Sequence, residues 1–233
     1  MKIIQDEQLL NEKLQEFDLD QLFDASVERP PFSLQRIAPN ETILYEGAEL
    51  ESLMFLVEGK VKVTSSVATG KSLLLRFVQP FSIIGDIEII RNVPVQSQVK
   101  AVEESLIIGL QREYIKQHES DNPKFLRLML EHVTYKLQTC TTASRVNLLA
   151  SVENRFASYL LTTLTADAGQ PFGLELKTNN LQEIAGLLGV TYRHLNRVIQ
   201  SLIKKDIIEK DKQFIKIRDW ALLEKMSNGI RYE

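Results

Sequence analysis

Arginine, asparagine and glutamine crowd one short stretch of the chain, and their spacing puts them on one side of it. From Thr191 to Lys204, Leu195, Val198, Ile199 and Leu202 recur at i, i+3, i+4 and i+7, the register of a helix with one buried face. Tyr192, Arg193, Asn196, Arg197 and Gln200 then share the opposite face. An Arg fork can grip guanine O6 and N7 bidentately, and Asn or Gln can do the same to adenine; neither needs a pocket. Thr191 stands where it can cap this helix.

A partner helix must hold that face in place. Asn180 is a candidate cap with Glu183 three residues on, a capping box. Leu181, Ile184, Ala185 and Leu188 form its apolar side. Ala185 is small where a second helix crosses, and Gly189 permits the left-handed backbone that reverses the chain within three residues. An ordinary helical hairpin with a solvated charged face is the plain alternative. Small residue, glycine, cap and register all agree with a helix-turn-helix.

Catalytic chemistry has few candidates. The only histidines are His118, His132 and His194, and none lies in the β-rich segment described below, which excludes a His-based metal centre there. No Ser/His/Asp or Cys/His set falls within a plausible common site. Cys140 is the only cysteine, so one chain can form neither a disulfide nor a four-thiolate zinc or iron–sulfur site. We expect no catalytic residue, no metal and no enzymatic activity.

A length of 233 residues suits one large domain or two smaller ones, and 44% hydrophobic with 25% charged residues is ordinary globular composition. The net charge of −3 looks wrong for a nucleic-acid binder. Its distribution looks better: residues 179 to 233 hold ten Lys/Arg against seven Asp/Glu, leaving −6 for residues 1 to 178. Between Val190 and Arg218 eight basic residues face three acidic ones, a local +5, and phosphate contact needs only a local patch. No apolar run approaches the roughly 20 residues that span a bilayer. The start, Met1 to Glu7, is too acidic for a secretory signal, so cytoplasm is the expected compartment, without a membrane partner.

Residues 3 to 17, with Ile3, Leu10, Leu14 and Phe17 apolar, predict an acidic amphipathic helix. Pro30-Pro31 breaks it off from β-type segments at 32–37, 42–45, 53–58, 60–65, 72–78, 95–102 and 106–110, punctuated by Gly47, Gly59, Gly70 and Gly85. Many short strands punctuated by glycine imply a sandwich or jelly roll. A long helix follows from Asp121 to Ala150. Its Leu126, Leu130, Val133, Leu137, Cys140 and Ser144 alternate spacings of four and three, a coiled-coil seam. Packing of that stripe on the chain's own barrel is the alternative, but a small barrel cannot cover so long a stripe. Ser151 caps a further helix ending near Ala168-Gly169, and a short strand is expected at 174–177. After the helix pair, 207–209 and 214–217 form a hairpin around Lys210-Asp211-Lys212-Gln213, a wing whose Lys210 and Lys212 can reach phosphate. Residues 219 to 226 close the chain as a helix.

Barrel, long helix and winged helix-turn-helix in this order resemble the Crp/Fnr family of bacterial transcription regulators over nearly the whole chain. Leu53 to Val63 is similar to the family's early barrel hairpin, and Ile84-Gly85-Asp86-Ile87-Glu88 stands where its effector cassette begins. Gly189-Val190-Thr191-Tyr192-Arg193-His194-Leu195 is most similar to the YeiL-type members. The resemblance implies an α+β chain of four parts: an N-terminal helix (1–21), a cyclic-nucleotide-binding-like jelly roll or double-stranded β-helix (22–118), a dimerisation helix (119–150) and a winged helix-turn-helix (151–233). It implies double-stranded DNA, a second copy of the chain and RNA polymerase as partners, with a near-palindromic operator read by Tyr192, Arg193, Asn196 and Arg197 and Thr191 contacting phosphate. Many members carry Glu where Arg193 stands, so the family's common half-site is not expected.

Cyclic-nucleotide-binding members have Gly-Glu and then Arg-Ser or Arg-Thr about ten residues later, for ribose and phosphate. Here Asp86 is a methylene shorter than Glu, and Val95-Gln96 occupies the Arg-Ser/Thr place. Burying a phosphate without a paired cation costs several kcal/mol. Arg91 and Lys100 lie too early and too late to replace the Arg. Cys140 and Thr141 fall where some members reach the nucleobase. The candidate effector pocket is therefore Gly85, Asp86, Val95, Gln96, Cys140 and Thr141, for an unknown small molecule or none. The family's oxygen-sensing branch uses four cysteines, so both cAMP and an iron–sulfur cluster are disfavoured as cofactors. A cAMP- or cGMP-binding regulator is the alternative function.

Overall fold

Residues 53–57 and 106–110 are apolar at nearly every position, and both become strands buried on both faces. The computed structural model describes residues 1–23, 30–66, 72–164, 176–177, 181–212 and 214–229. β4 (Ser52–Glu58) and β9 (Ser105–Gln111) pair antiparallel with Phe55 opposite Ile108. They lie inside a five-stranded sheet completed by β1 (Lys2–Ile4), β2 (Phe32–Ile37) and β7 (Ser82–Ile84), in the order β1-β2-β9-β4-β7. A four-stranded sheet runs β3 (Thr42–Leu44), β8 (Gln98–Ala101), β5 (Val61–Ser66), β6 (Ser72–Val78). Together these sheets make the β-sandwich expected from the glycine-punctuated segments.

Two compact units divide the chain, residues 1–65 with 77–138 and residues 66–76 with 139–233. In the first, helices cover the five-stranded sheet. Leu53, Phe55, Val57, Leu106, Ile108 and Leu110 form a core with Leu14, Leu19, Phe125 and Met129. Leu14 comes from α1 (Glu7–Glu16), and Phe125 and Met129 from α4 (Pro123–Leu149). α2 (Asp86–Arg91) connects β7 to β8, and α3 (Arg112–Tyr114) follows β9.

Two expectations need correction, and two short elements are new. The N-terminal segment is not helical from residue 3: Lys2–Ile4 is a strand on the edge of β2, with Ile4 opposite Leu34. Asp6 accepts from the Leu9 N–H at 2.9 Å and starts the helix there. Ile3 and Ile4 are β-branched and suit an edge strand, and Ile3 lies 67% exposed, outside the helical stripe. The strand expected at 95–102 shortens to Gln98–Ala101, with Val95 buried in the connection before it. β7 and α2 were unforeseen, since three and six residues are too short for a periodic signal.

α4 carries two stripes. Phe125, Met129 and Lys136 are buried, and His132 lies edge-on to Phe81 at 5.5 Å. One position later, Leu126, Leu130 and Leu137 are 45%, 64% and 67% exposed. Val133 is half-buried; Cys140 and Ser144 are exposed. The barrel therefore uses a stripe adjacent to the proposed seam and leaves most of the seam bare. No described helix is long and apolar enough to cross a membrane.

Gly59 turns the chain from β4 into β5 at φ +85°, and a Cβ there would lie 2.4 Å from the Glu104 carbonyl oxygen. Backbone strain and a clash against another backbone reinforce one another. Gly59→Ala is expected to lower the unfolding free energy by about 2 kcal/mol or more, read from urea denaturation of the full chain.

Candidate nucleic-acid interface and effector cassette

The second unit builds its exposed face from a turn that the sequence specifies residue by residue. α6 (Leu181–Leu187) ends where Gly189 adopts φ +68°. The Gly189 N–H donates to the Gly186 carbonyl and the Val190 N–H to the Ala185 carbonyl, both at 2.9 Å, the paired bonds of a Schellman stop. α7 (Tyr192–Lys204) starts immediately, its Thr191 hydroxyl accepting from the His194 N–H at 3.2 Å. Leu195, Val198, Ile199 and Leu202 are buried as expected, against α6 and against α5 (Val152–Thr163). Ala185 is 1% exposed. Asn180, the expected cap of α6, and Ala168-Gly169, the expected end of α5, lie outside the described residues.

Arg193, Arg197 and Gln200 are exposed on α7, and Tyr192 is 47% exposed. Asn196 is set back: it is half-buried, and its Oδ1 is enclosed without a hydrogen-bond partner. Its place in the middle of the face thus differs from that of its neighbours. Sequence reasoning missed two further residues of this face. Arg155 and His194 join Ser151, Thr191, Arg193 and Arg197 around a cleft of about 730 Å³. His194 follows Thr191 by three residues, so helical spacing held the signal; Arg155 arrives from α5, and nothing local announced it. Its Nη1 donates to the Leu188 carbonyl at 2.7 Å and fastens α5 to the turn. Behind this face Tyr159 is 7% exposed, and burial pushes its phenol up to about 12.

The hairpin forms from β11 (Ile208–Lys210) and β12 (Phe214–Ile217), with Ile208 opposite Ile217, and β10 (Leu176–Lys177) adds a third strand beside β12. Residues 174, 175 and Gln213 are outside the described set. Asp211 Oδ1 accepts from the Phe214 N–H at 2.7 Å and closes the tip, where Lys212 is exposed and Lys210 half-buried. Arg218 is already engaged: Glu209 Oε2 accepts from its Nη2 at 2.6 Å and from its Nε at 2.9 Å, with Asp206 at 3.3 Å. Glu209 beside it raises the guanidinium above its ordinary value. The local excess of +5 already subtracts Asp206 and Glu209, so it stands, but Arg218 is not among its uncommitted cations. Past the hairpin the expected helix forms as α8 (Trp220–Ser227), capped by Asp219, and packs on α5.

In the barrel, Gly85 caps α2 at φ +94°, and a Cβ there would strike Leu50 at 2.7 Å. Asp86 is 2% exposed and pairs with Lys136 of α4 at 2.5 Å. Val95 is 1% exposed, fixed by the Val95 N–H donating to the Ala48 carbonyl at 2.9 Å. Gln96 is exposed; its N–H donates to buried Glu88, and its side-chain amide to the Pro94 carbonyl at 2.7 Å. Cys140 and Thr141 are exposed and belong to the second unit, whereas the other four candidates belong to the first. The cation facing Asp86 is thus neither Arg91 nor Lys100 but Lys136, 50 residues away, which the cassette's local spacing could not reveal. Among the described residues no three His, Cys, Asp or Glu side chains cluster as metal ligands do.

Residues 34–120 match the cyclic nucleotide-binding domain family, and residues 154–226 match the Crp-like helix-turn-helix domain. The chain is a Crp/Fnr-family regulator. The regulatory protein YeiL of Escherichia coli O157:H7 is 25% identical over 171 residues, covering 73% of this chain and 74% of that one. The CRP-like cAMP-activated global transcriptional regulator of Mycobacterium tuberculosis is 22% identical over 180 residues, covering 76% and 80%. A CRP-family transcriptional regulator from Thermus thermophilus shares the fold, with TM-score 0.69 and 22% identity over 85% of this chain and 98% of that one. The α+β reading and the family resemblance are borne out, and with them the assignment as a DNA-binding transcription regulator of Crp/Fnr type. Within the Crp/Fnr fold, α6 and α7 supply the helix-turn-helix and the β11–β12 hairpin its wing.

Proposed function

We propose that this Crp/Fnr regulator binds a near-palindromic operator as a homodimer, with Arg193, Arg197 and Gln200 reading base edges and Thr191, Lys210 and Lys212 positioning the domain on phosphates. Regulators of this family bind DNA and act as dimers. The observation that carries the reading is the outward face of α7, whose long polar side chains stand clear of a fully packed apolar side. Tyr192 contacts the same groove, and Asn196 uses its amide nitrogen, since its oxygen is enclosed. Two such helices about 34 Å apart enter successive major grooves.

The bare stripe Leu126, Leu130, Leu137 supports pairing of α4 with its symmetry mate, continued by Cys140 and Ser144. RNA polymerase is the downstream partner and cytoplasm the compartment. The chain is a regulator without catalytic residues. Neither an iron–sulfur cluster nor cAMP serves as its cofactor: one cysteine cannot hold the cluster, Val95 supplies no cation, and Asp86 is already paired. The second reading, a cAMP- or cGMP-controlled regulator, is favoured by residues 34–120 and by the relative named as cAMP-activated. Calorimetry distinguishes them: saturable micromolar cAMP or cGMP binding supports the second.

Selection of bound DNA from a random pool, with and without cell extract, tests the function; a two-fold-related half-site pair is expected, and recovery of no common sequence would refute it. On that operator, Arg197→Ala is expected to cost about 1–3 kcal/mol and to relax preference at one position. Lys212→Ala weakens all sequences alike and flattens the salt dependence. Leu137→Asp is expected to give monomers in sedimentation velocity.

A further inference from the structure

We propose that the barrel contains a primary-ammonium site which the chain fills with its own Lys136, so that operator binding requires no added effector; the inference rests on the DNA-binding reading above. The site is built at the corner between β7 and α2. Lys136 Nζ donates to Asp86 Oδ1 at 2.5 Å and to the Ile83 carbonyl at 2.7 Å. Gly85 makes the corner possible, because its φ of +94° and the contact with Leu50 leave no room for a side chain. Asp86 is 2% and Lys136 8% exposed, so both charges have left water and each depends on the other for compensation.

Packing alone does not explain this choice. An apolar side chain of similar volume at residue 136, opposite an apolar residue 86, would bury α4 against the barrel without the desolvation cost of two ions, but it would not fix the helix's position as the two directed Nζ bonds do. The pair selects instead for chemistry. Asp86 Oδ2 is enclosed with no hydrogen-bond partner, so the carboxylate still calls for a donor. Buried Glu88, whose Oε1 accepts from the Gln96 N–H, adds a second acid on α2, while Val95 adds no cation. An anionic ligand would meet Asp86 and would have to strip it of Lys136; an ammonium group fits as it stands. That ammonium is carried by α4, the helix that continues from the barrel unit into the DNA-binding unit. Occupancy of the cassette and placement of α4 are therefore a single event.

The test uses the full chain, purified without nucleotide and titrated by fluorescence anisotropy against its selected operator, with thermal melting in parallel. Wild type is expected to bind with nothing added, and Asp86→Asn and Lys136→Met each to bind roughly tenfold or more weakly. The double variant Lys136→Met/Asp86→Leu buries no unpaired charge. It is expected to melt like wild type and still to bind roughly tenfold or more weakly, a loss that a merely structural pair would not produce. A double variant with wild-type affinity, or one that no longer folds, would make the pair structural and overturn the inference. Operator binding that appears only with cAMP, and disappears in Lys136→Met, would make Lys136 a phosphate partner and overturn it equally. If wild type binds no DNA under any condition, the DNA-binding reading itself falls, and this inference with it.

Discussion

One helix has to satisfy two surfaces at once, and the rest of the structure follows from how α4 does so. Successive residues of a helix are turned by about 100°, so stripes one residue apart face different directions. Phe125, Met129 and Lys136 close the outer face of the five-stranded sheet, where Phe55 and Ile108 would otherwise meet water. Leu126, Leu130 and Leu137 are thereby turned outward. The barrel's need for a lid fixes the rotation of α4 about its axis. That rotation decides which side chains are left for a second chain.

The reading head is constrained by backbone hydrogen bonding rather than by charge. Three residues separate the end of α6 from the Thr191 cap, and every orphan donor and acceptor in so short a turn needs a partner. Gly189 in the left-handed region lets its own N–H and that of Val190 reach back to α6, and Arg155 takes the Leu188 carbonyl from outside. Thr191 then satisfies α7. With the backbone settled, the apolar register of α7 leaves Arg193 and Arg197 no direction but outward. The cost falls on Asn196, whose position near the helix crossing encloses its oxygen without a partner.

Much of this was legible in the sequence because the signals are local. Helical period, the Gly189 stop and the Thr191 cap located α6 and α7; apolar runs and glycines located most strands of the sandwich. Short elements escaped: β1 is specified by the edge of β2, thirty residues away, and β7 by the edge of β4. Non-local pairs escaped entirely. Asp86 read as a weakened ligand-binding acid, since the residue that completes it lies on another helix; Arg155 went unnoticed, since its partner, the Leu188 carbonyl, lies in the turn. Burial of a polar side chain is decided by its partner, and sequence spacing says nothing about partners from elsewhere in the fold.

Arg218 shows how an internal contact changes the thermodynamics of an external one. Its guanidinium is bonded twice to Glu209 and once to Asp206, at the base of the wing. A cation whose charge is already balanced displaces no condensed sodium or potassium from a phosphate on complex formation, and contributes nothing to the entropy of ion release. In the proposed complex the wing therefore draws its share of that entropy from fewer side chains than its number of basic residues suggests. Association leans correspondingly more on shape and base contacts, which persist as ionic strength rises.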